Sequence, residues 1–511
     1  MAINPAPTLA LDDIQGNLAG FNKDFQRFVF LAFPSQQAGQ SFLAGIASDL
    51  ASCSEVLEFN DLFRKVYKRR PGRPDADRGI VQASWLNIAF SFAGLQALGA
   101  PGLDAFPGEF SAGMRAAAPR IGDVDDSAPA KWVAPFNQTL HAVALLAADE
   151  LADLQSLYQD LHARVVAHGV TELAPLVDGQ TRPGDQRGRE HFGFRDGISQ
   201  PAIIGLDIGG AVGQSPAPKP GQDAIAPGEF VLGAQDPTGQ PPAPPPPLQP
   251  VQPVYPGPAP TPPPTPAFPG WAMNGSYLVF RRLRQNVQAF NAFITQTAQA
   301  QSLSEDVMAA KLVGRFKSGA PLELTPDEAA GTNPDAGDPS TADPSLLTDA
   351  KINDFTYGQD ADGHLVPRAA HIRKTNPRDQ QPPAQPGTSQ HRLLRRGIPY
   401  GPELAPNEPP YPGQGPVPDT QDRGLLFLCY QASIARQFEF VQTAWVNSED
   451  FPQSGDGRDP IISQDTVNPE FTLTPQNAHL TLARWVITTG GEYFFAPSIS
   501  AVGLLAGQPL Q

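Results

Sequence analysis

The chain has 511 residues, of which 40% are hydrophobic and 17% charged, so it can bury a large core arranged as two or three domains or as one duplicated domain. Its formal net charge of −16 argues against nonspecific nucleic-acid binding, which needs a basic surface. No apolar run suits a membrane span and no signal-type N-terminus is seen, so we expect a soluble, cytoplasmic protein with no membrane partner.

The first part of the chain alternates strand-like and helix-like segments. Apolar residues that alternate with polar ones, or that form a short continuous run, predict strands, and an apolar period near 3.6 residues predicts helices. The predicted strands cover residues 25–33, 85–92 and 141–147, and the predicted helices cover residues 36–50, a turn near Leu95, 108–117 and 148–165.

A proline-rich stretch then interrupts this pattern. Between Pro237 and Pro269, 17 of 33 residues are proline, a density that forbids helices and sheet ladders. We interpret residues 209–270 as an insertion outside the core. A solvated surface segment is favoured, and a ligand for an SH3-like partner is the alternative.

The strand and helix pattern resumes after the insertion. Strands are predicted at residues 276–283, 424–430 and 493–496, and helices at residues 286–298, 305–316 and 432–446. Two copies of one rhythm predict two α+β units, each an antiparallel sheet with helices on one face. The predicted domains are therefore residues 1–208 and 271–511, separated by the insertion.

One segment of the first unit combines glycines with a carboxylate. Residues 193–201 read GFRDGISQP, with Asp196 between Gly193 and Gly197. Glycines at this spacing allow a sharp turn or a close approach of the backbone to a flat ligand. The neighbouring Phe and Ile suggest a poorly solvated carboxylate suited to proton transfer, whereas an ordinary Asp-Gly turn is the alternative.

Basic residues surround a histidine and a turn in the second unit. His371 follows two alanines and precedes a basic cluster that includes Arg378, so it could ligate a metal, although a structural histidine is the alternative. Arg395 and Arg396 precede a Gly-x-Pro turn that could hold a guanidinium over a site. Residues 423–431 form an apolar strand that could wall a cavity or simply belong to the core.

These segments, in this order, resemble those of the dye-decolorizing peroxidases. The similar sequences are GFRDG at 193–197, AHIRKTNPR at 370–378, RRGIPYG at 395–401 and RGLLF at 423–427. The resemblance extends to residues 12–17, 87–99 and 490–498, and so to nearly the whole chain apart from the insertion. The length of the chain is similar to that of the larger, elaborated branch of the family.

The resemblance implies a fold class and a function. The fold would be α+β, with two ferredoxin-like modules of the dimeric α+β barrel type. The function would be a peroxidase with one haem b per chain. It would reduce hydrogen peroxide and oxidise dyes, phenolics or other organic donors in one-electron steps through a ferryl intermediate. The alternative is a haem-binding or haem-handling protein with incidental peroxidase activity.

The resemblance also implies roles for particular residues. Asp196 matches the distal acid–base residue and Arg395 the distal arginine, with Arg396 one position away. His371 matches the axial ligand of the haem iron. The matches to haem-contacting positions are Gly197, Ile198, Ser199, Arg378, Leu425 and Phe427.

Three further expectations concern the mechanism. A carboxylate that is hydrogen-bonded to the second ring nitrogen of His371 would strengthen this histidine as a ligand, and Glu439 is the candidate for that carboxylate. An aspartate shuttle predicts activity that favours acid pH. Bulky donors would pass electrons through surface aromatic residues, for which Trp445, Tyr400 and Tyr430 are candidates.

Overall fold

The structure is a computed structural model. It describes residues 9–68, 81–234, 268–325, 337–379, 388–405, 421–466 and 469–508.

The N-terminal half contains a four-stranded antiparallel sheet. Its strands lie in the order β4-β1-β3-β2, which is the order of a ferredoxin-like βαββαβ unit. Its elements are β1 (Phe25–Ala32), α1 (Gln36–Ile46), α2 (Cys53–Lys68), β2 (Ser84–Phe90), α3 (Phe92–Ala97), α4 (Gly108–Ala117), β3 (Ala142–Ala148), α5 (Leu151–Ala167) and β4 (Thr171–Gln180). Serine side chains begin two of the helices, because Ser35 accepts a hydrogen bond from Ala38 N and Ser91 from Gly94 N.

The segment that joins the two halves is partly core, which corrects one prediction. Two short strands, β5 (Ala202–Ile203) and β6 (Ala224–Ile225), pair in parallel. Phe230 and Leu232 are 0% and 2% exposed, and Leu232 N donates to Gly275 O. The interpretation of residues 209–270 as wholly outside the core is therefore wrong for the end of β6 and the turn after it. The prolines between 237 and 267 lie outside the described residues.

The C-terminal half repeats the ferredoxin-like arrangement. Strands β13, β7, β10 and β8 lie in that order, so the last, first, third and second main strands are neighbours, as in the N-terminal half. Its elements are β7 (Ser276–Gln285), α6 (Val287–Gln301), α7 (Glu305–Val313), α8 (His371–Thr375), β8 (Leu394–Arg395), β9 (Ile398–Tyr400), β10 (Gly424–Gln431), β11 (Glu470–Leu473), β12 (Ala478–Thr481), β13 (Val486–Ala496) and α9 (Ile499–Leu505). The helix predicted at residues 432–446 is present over residues 435–446, where it is π-helical at Ala435–Glu439 and at Val441–Val446.

The two sheets join into one. Phe495 of β13 pairs with Phe90 of β2, which makes a single nine-stranded sheet within the described residues. At the far ends, Gly179 of β4 lies so close to Ile398 of β9 that a Cβ atom on Gly179 would stand 2.3 Å from Ile398 Cγ2. The end strands therefore pack against each other and close the sheet into a barrel.

Three apolar clusters are found among the described residues, a small one around Trp445 and two extensive ones. The larger extensive cluster fills the space between the joined sheet and its helices and draws residues from both halves. The other extensive cluster packs α6 and α7 against the segment that carries His371. No helix among the described residues is both long enough and apolar enough to cross a membrane.

Candidate haem site

His371 is the first residue of α8 and borders a cavity lined by residues of both halves of the chain. Its Nδ1 atom lies 2.8 Å from Oδ2 of Asp459, whose side chain is fully buried. The other oxygen of Asp459 accepts hydrogen bonds from the backbone amides of Ile461 and Ile462, at 2.8 and 2.9 Å. The carboxylate is thus held fixed, and it orients the imidazole with Nε2 unbonded within the described residues.

The electrostatics of His371 follow from this contact. Burial by itself lowers the pKa of His371, but the charge and hydrogen bond of Asp459 outweigh it, so the net direction is upward. The charges of Arg395 and Asp196 also act on the pKa of His371, which places these groups in its surroundings.

The prediction of Glu439 as the partner of His371 is wrong. Arg120 binds both oxygens of Glu439, at 2.6 and 2.7 Å, and the Tyr493 hydroxyl donates to Oε1 at 2.9 Å. Glu439 therefore links α4's following loop to β13 and has no contact with the histidine. Asp459 lies in a loop without periodic pattern, 88 residues after His371, so no sequence signal marked it.

Asp196, from the N-terminal half of the chain, borders the same cavity. The residue after it, Gly197, has a φ of +76°, which glycine adopts without steric cost. This turn lets Gly197 N donate to Asp196 Oδ1 at 2.6 Å, while Arg395 Nη1 donates to the same oxygen at 2.9 Å. Oδ2 accepts no hydrogen bond from the described residues. The carboxylate is 37% exposed, so the expectation of a poorly solvated group is not met by the chain itself.

The two adjacent arginines point in different directions. Arg395 contacts Asp196 and borders the cavity. Arg396 donates to the carbonyls of Asn17 and Leu18 and belongs to the packing of the N-terminal segment. This difference follows from strand alternation, because consecutive side chains of a strand leave on opposite faces.

Three arginines form a cationic end of the cavity. Arg378 donates to the carbonyls of Asn353 and Phe355, at 3.0 and 2.8 Å, and lies 3.9 Å over the ring of Phe355. Arg315 and Arg392 border the cavity beside it, and burial lowers their pKa values to about 9 and about 10. The sequence motifs did not single out these two arginines.

Apolar side chains and a bare backbone form the walls. Leu425 and Phe427, two apart on β10, project from the same face of the strand into the cavity. Gly197, Ile198 and Ser199 border it from the Asp196 turn. A Cβ atom on Gly197 would meet nothing within 4 Å, so the backbone there faces open space.

The three aromatic residues proposed as surface relays are buried. Trp445 is 1% exposed, Tyr430 3% and Tyr400 6%. None of them presents a ring to an external donor, so the prediction of a surface position is wrong for all three.

Comparison with known proteins identifies the family of this arrangement. The model of the DyP dimeric alpha+beta barrel domain matches residues 13–183, and that of the Dyp-type peroxidase C-terminal domain matches residues 266–453. The dye-decolorizing peroxidase msp1 of Mycetinis scorodonius is 32% identical over 515 residues, which cover 97% of this chain and 87% of that protein. The chain belongs to the dye-decolorizing peroxidase family. It is therefore a peroxidase of this type, as the order of its motifs predicted.

Other family members agree in sequence and fold. The multifunctional dye peroxidase DyP2 of an Amycolatopsis species is 30% identical, over 96% of this chain and 94% of that protein. An ancestral D-type dye decolorizing peroxidase structure superposes with a TM-score of 0.77 and 31% identity, covering 97% of this chain and 99% of that one. A dye-decolorizing peroxidase complex with 2,6-dimethoxyphenol gives a TM-score of 0.75 at 30% identity, covering 98% and 100%.

The residues present fit the haem that dye-decolorizing peroxidases use. His371 offers a nitrogen donor whose second nitrogen is held by a carboxylate. Arg315, Arg378 and Arg392 gather positive charge suited to propionates. The apolar wall and the open backbone at Gly197 suit a flat macrocycle.

Proposed function

We propose that this chain binds one haem b and uses it to reduce hydrogen peroxide while oxidising organic donors in one-electron steps. The observation that carries the proposal is a single cavity bordered by His371, by the Asp196–Arg395 pair and by an apolar wall.

His371 would hold the haem iron through Nε2. When bound, the haem would supply the redox chemistry of peroxide reduction. The hydrogen bond of His371 Nδ1 to Asp459 gives the imidazole anionic character, so Nε2 is a stronger donor to the iron than an ordinary imidazole. The amides of Ile461 and Ile462 keep Asp459 in place as this happens.

The proton is moved by Asp196. Oδ1 is occupied by Gly197 N and Arg395 Nη1, so Oδ2 is the oxygen that takes the proton from the near oxygen of peroxide. The same oxygen returns it to the far oxygen, directly or through a water. The half-exposed position of the carboxylate leaves room for that water.

The departing oxygen is stabilised by Arg395. A guanidinium does not lose its proton, so it offers positive charge without competing for the proton that Asp196 carries. Its contact with Asp196, at 2.9 Å, positions both groups together. Arg378, with Arg315 and Arg392, would hold the propionates, and Leu425 and Phe427 would form the apolar wall of the cavity.

The proposal is tested by spectroscopy and kinetics on the purified holoprotein. We expect a Soret band and turnover of 2,6-dimethoxyphenol with peroxide. Asp196→Asn keeps the Soret band and slows peroxide cleavage on the order of 10²–10⁴-fold, the usual contribution of a general acid–base group. Asp349→Asn, at an exposed ion pair with Lys219, is the matched control and leaves the rate unchanged.

Replacement of the axial ligand separates the alternatives. His371→Ala should lose the Soret band with the fold retained in circular dichroism. A Soret band that bleaches slowly without turnover indicates haem handling instead of peroxidase function. Full activity in Asp196→Asn refutes the shuttle role.

A further inference from the structure

A second cavity lies behind the turn that carries Asp196. Phe192 borders both cavities, so the thickness of one side chain separates them at this point. Gly193, Val287 and Leu404 border the second cavity alone. Its position is outside the haem site but next to the segment that shapes that site.

The lining of the second cavity is cationic. Arg182, Arg189 and Lys317 border it, and no carboxylate does so within the part of the chain that the structure describes. Glu403, from outside the lining, neutralises Arg182 through contacts of 2.6 and 2.8 Å. Arg189 and Lys317 have no carboxylate partner among the described residues. The chain as a whole is acidic, with a net charge of −16. A cavity bordered by two cations without a carboxylate partner therefore differs in charge from the protein as a whole.

Backbone contacts place the Arg189 guanidinium and the stem of Lys317 beside Gly193. Arg189 Nη1 donates to the carbonyl oxygens of Gly193 and Lys317, at 2.8 and 2.7 Å. Gly193 has a φ of +97°, and a Cβ atom there would stand 3.3 Å from Cδ of Lys317. A side chain at position 193 would therefore crowd the stem of Lys317. Two cations that border one cavity without a carboxylate partner among the described residues favour the binding of an anion there.

We propose that the second cavity binds the sulfonate or carboxylate group of an aromatic electron donor. Lys317 and Arg189 would hold the anionic group, and Phe192 with Leu404 offers apolar contact to the ring. The inference rests on the proposed peroxidase function. Two donor molecules would each give one electron across the Phe192 layer, and peroxide with two protons and these electrons becomes two waters.

The first test measures binding without turnover. Benzenesulfonate is titrated calorimetrically into the holoenzyme at low ionic strength, with inorganic sulfate as a second titrant. We expect Lys317→Met to weaken benzenesulfonate binding on the order of ten-fold, as loss of a charge-assisted hydrogen bond does. Lys219→Met removes the same charge from an exposed position and should leave binding unchanged. No binding to the unsubstituted protein, equal binding by Lys317→Met, or equal affinity for sulfate overturns the proposal.

The second test measures donor selectivity in the same variants. The donors are p-hydroxybenzenesulfonate and its neutral analogue p-hydroxybenzenesulfonamide. Lys317→Met should raise KM for the sulfonate by about ten-fold and leave kcat and the KM of the sulfonamide unchanged. Equal effects on both donors contradict a charge-reading site. Since 2,6-dimethoxyphenol turnover tests the peroxidase function separately, failure of one proposal is distinguishable from failure of the other.

Discussion

Single residues determine how the two sides of the haem cavity differ. Asp196 is partly exposed and shares one oxygen between Arg395 and a backbone amide. Asp459 is fully buried and uses both oxygens, one for His371 and one for backbone amides. One carboxylate therefore has an oxygen free to take a proton, whereas the other is fixed as an orienting acceptor.

This difference gives a prediction for Asp459. In Asp459→Asn the amide no longer supplies a charged acceptor, so His371, the proposed ligand of the haem iron, should become a weaker donor. We expect the reduction potential of the haem to rise and the efficiency with peroxide to fall about 10–100-fold. Both are measured on the holoprotein, by redox titration and stopped-flow spectroscopy.

Glu439 provides the control for that prediction. Glu439→Gln breaks the ion pair with Arg120 but leaves the surroundings of His371 unchanged. The free energy of unfolding should therefore fall, and the reduction potential of the haem should stay the same. An equal change of potential in both variants would contradict a specific role for Asp459.

Strands β4 and β9 show how closure of the sheet depends on close packing. Gly179 faces Ile398. A Cβ atom built on Gly179 would also stand 3.3 Å from the carbonyl oxygen of Pro399. β9 in turn pairs with β10, the strand that carries the apolar wall of the cavity. The contact at Gly179 therefore supports the position of that wall.

A methyl group at this contact should loosen the barrel. Gly179→Ala places Cβ at 2.3 Å from a branched, inflexible side chain, so we expect a loss of about 1–3 kcal/mol in the free energy of unfolding. Gly108→Ala, where a Cβ meets nothing within 4 Å, is the control. Urea denaturation measures both, and equal stability of the two variants would show that β4 and β9 do not constrain each other.

The folded protein buries two histidines, His191 and His391, in surroundings that favour their neutral form. Burial lowers the pKa of His191 to about 4, and a hydrogen bond of 2.8 Å to the Tyr400 carbonyl opposes this only in part. Burial also lowers the pKa of His391 to about 4. The ring of His391 stacks on Phe440 with a centroid distance of 3.8 Å.

These histidines predict a loss of stability in acid. From the ordinary pKa of 6.5 down to about 4, the unfolded chain binds protons that the folded chain does not. The free energy of unfolding should therefore fall as pH drops through this range, by about 1 kcal/mol per pH unit for each histidine. This loss sets a lower limit to the acid range in which an aspartate shuttle is expected to work.

A single substitution tests the acid dependence. His191→Gln retains a donor for the Tyr400 carbonyl and removes the titrating ring, so the slope of unfolding free energy against pH should decrease. His364→Gln, at an exposed histidine, should keep the slope. An unchanged slope in His191→Gln would exclude this histidine as a source of acid instability.

Much of the fold and of the site was open to prediction from local patterns. Strands β1 and β7 and helix α4 follow their apolar periods closely. The α+β class and the duplication are confirmed by the matching strand orders of the two halves. Strand β4 was missed, because its alternation is broken by a proline and its burial depends on contact with β9. The sequence alone established the residue types at Asp196, His371 and Arg395 and the order of the motifs that carry them, because both are local properties.

Only the tertiary structure decided which groups meet. Asp459 and Glu439 are both acidic residues after β10, and nothing in their neighbours tells which one reaches His371. The choice between Arg395 and Arg396 required the register of β8 against β10. The cationic cavity at Lys317 and Arg189 joins segments 128 residues apart. Such contacts depend on how loops cross the closed sheet, and a local pattern carries no information about that path.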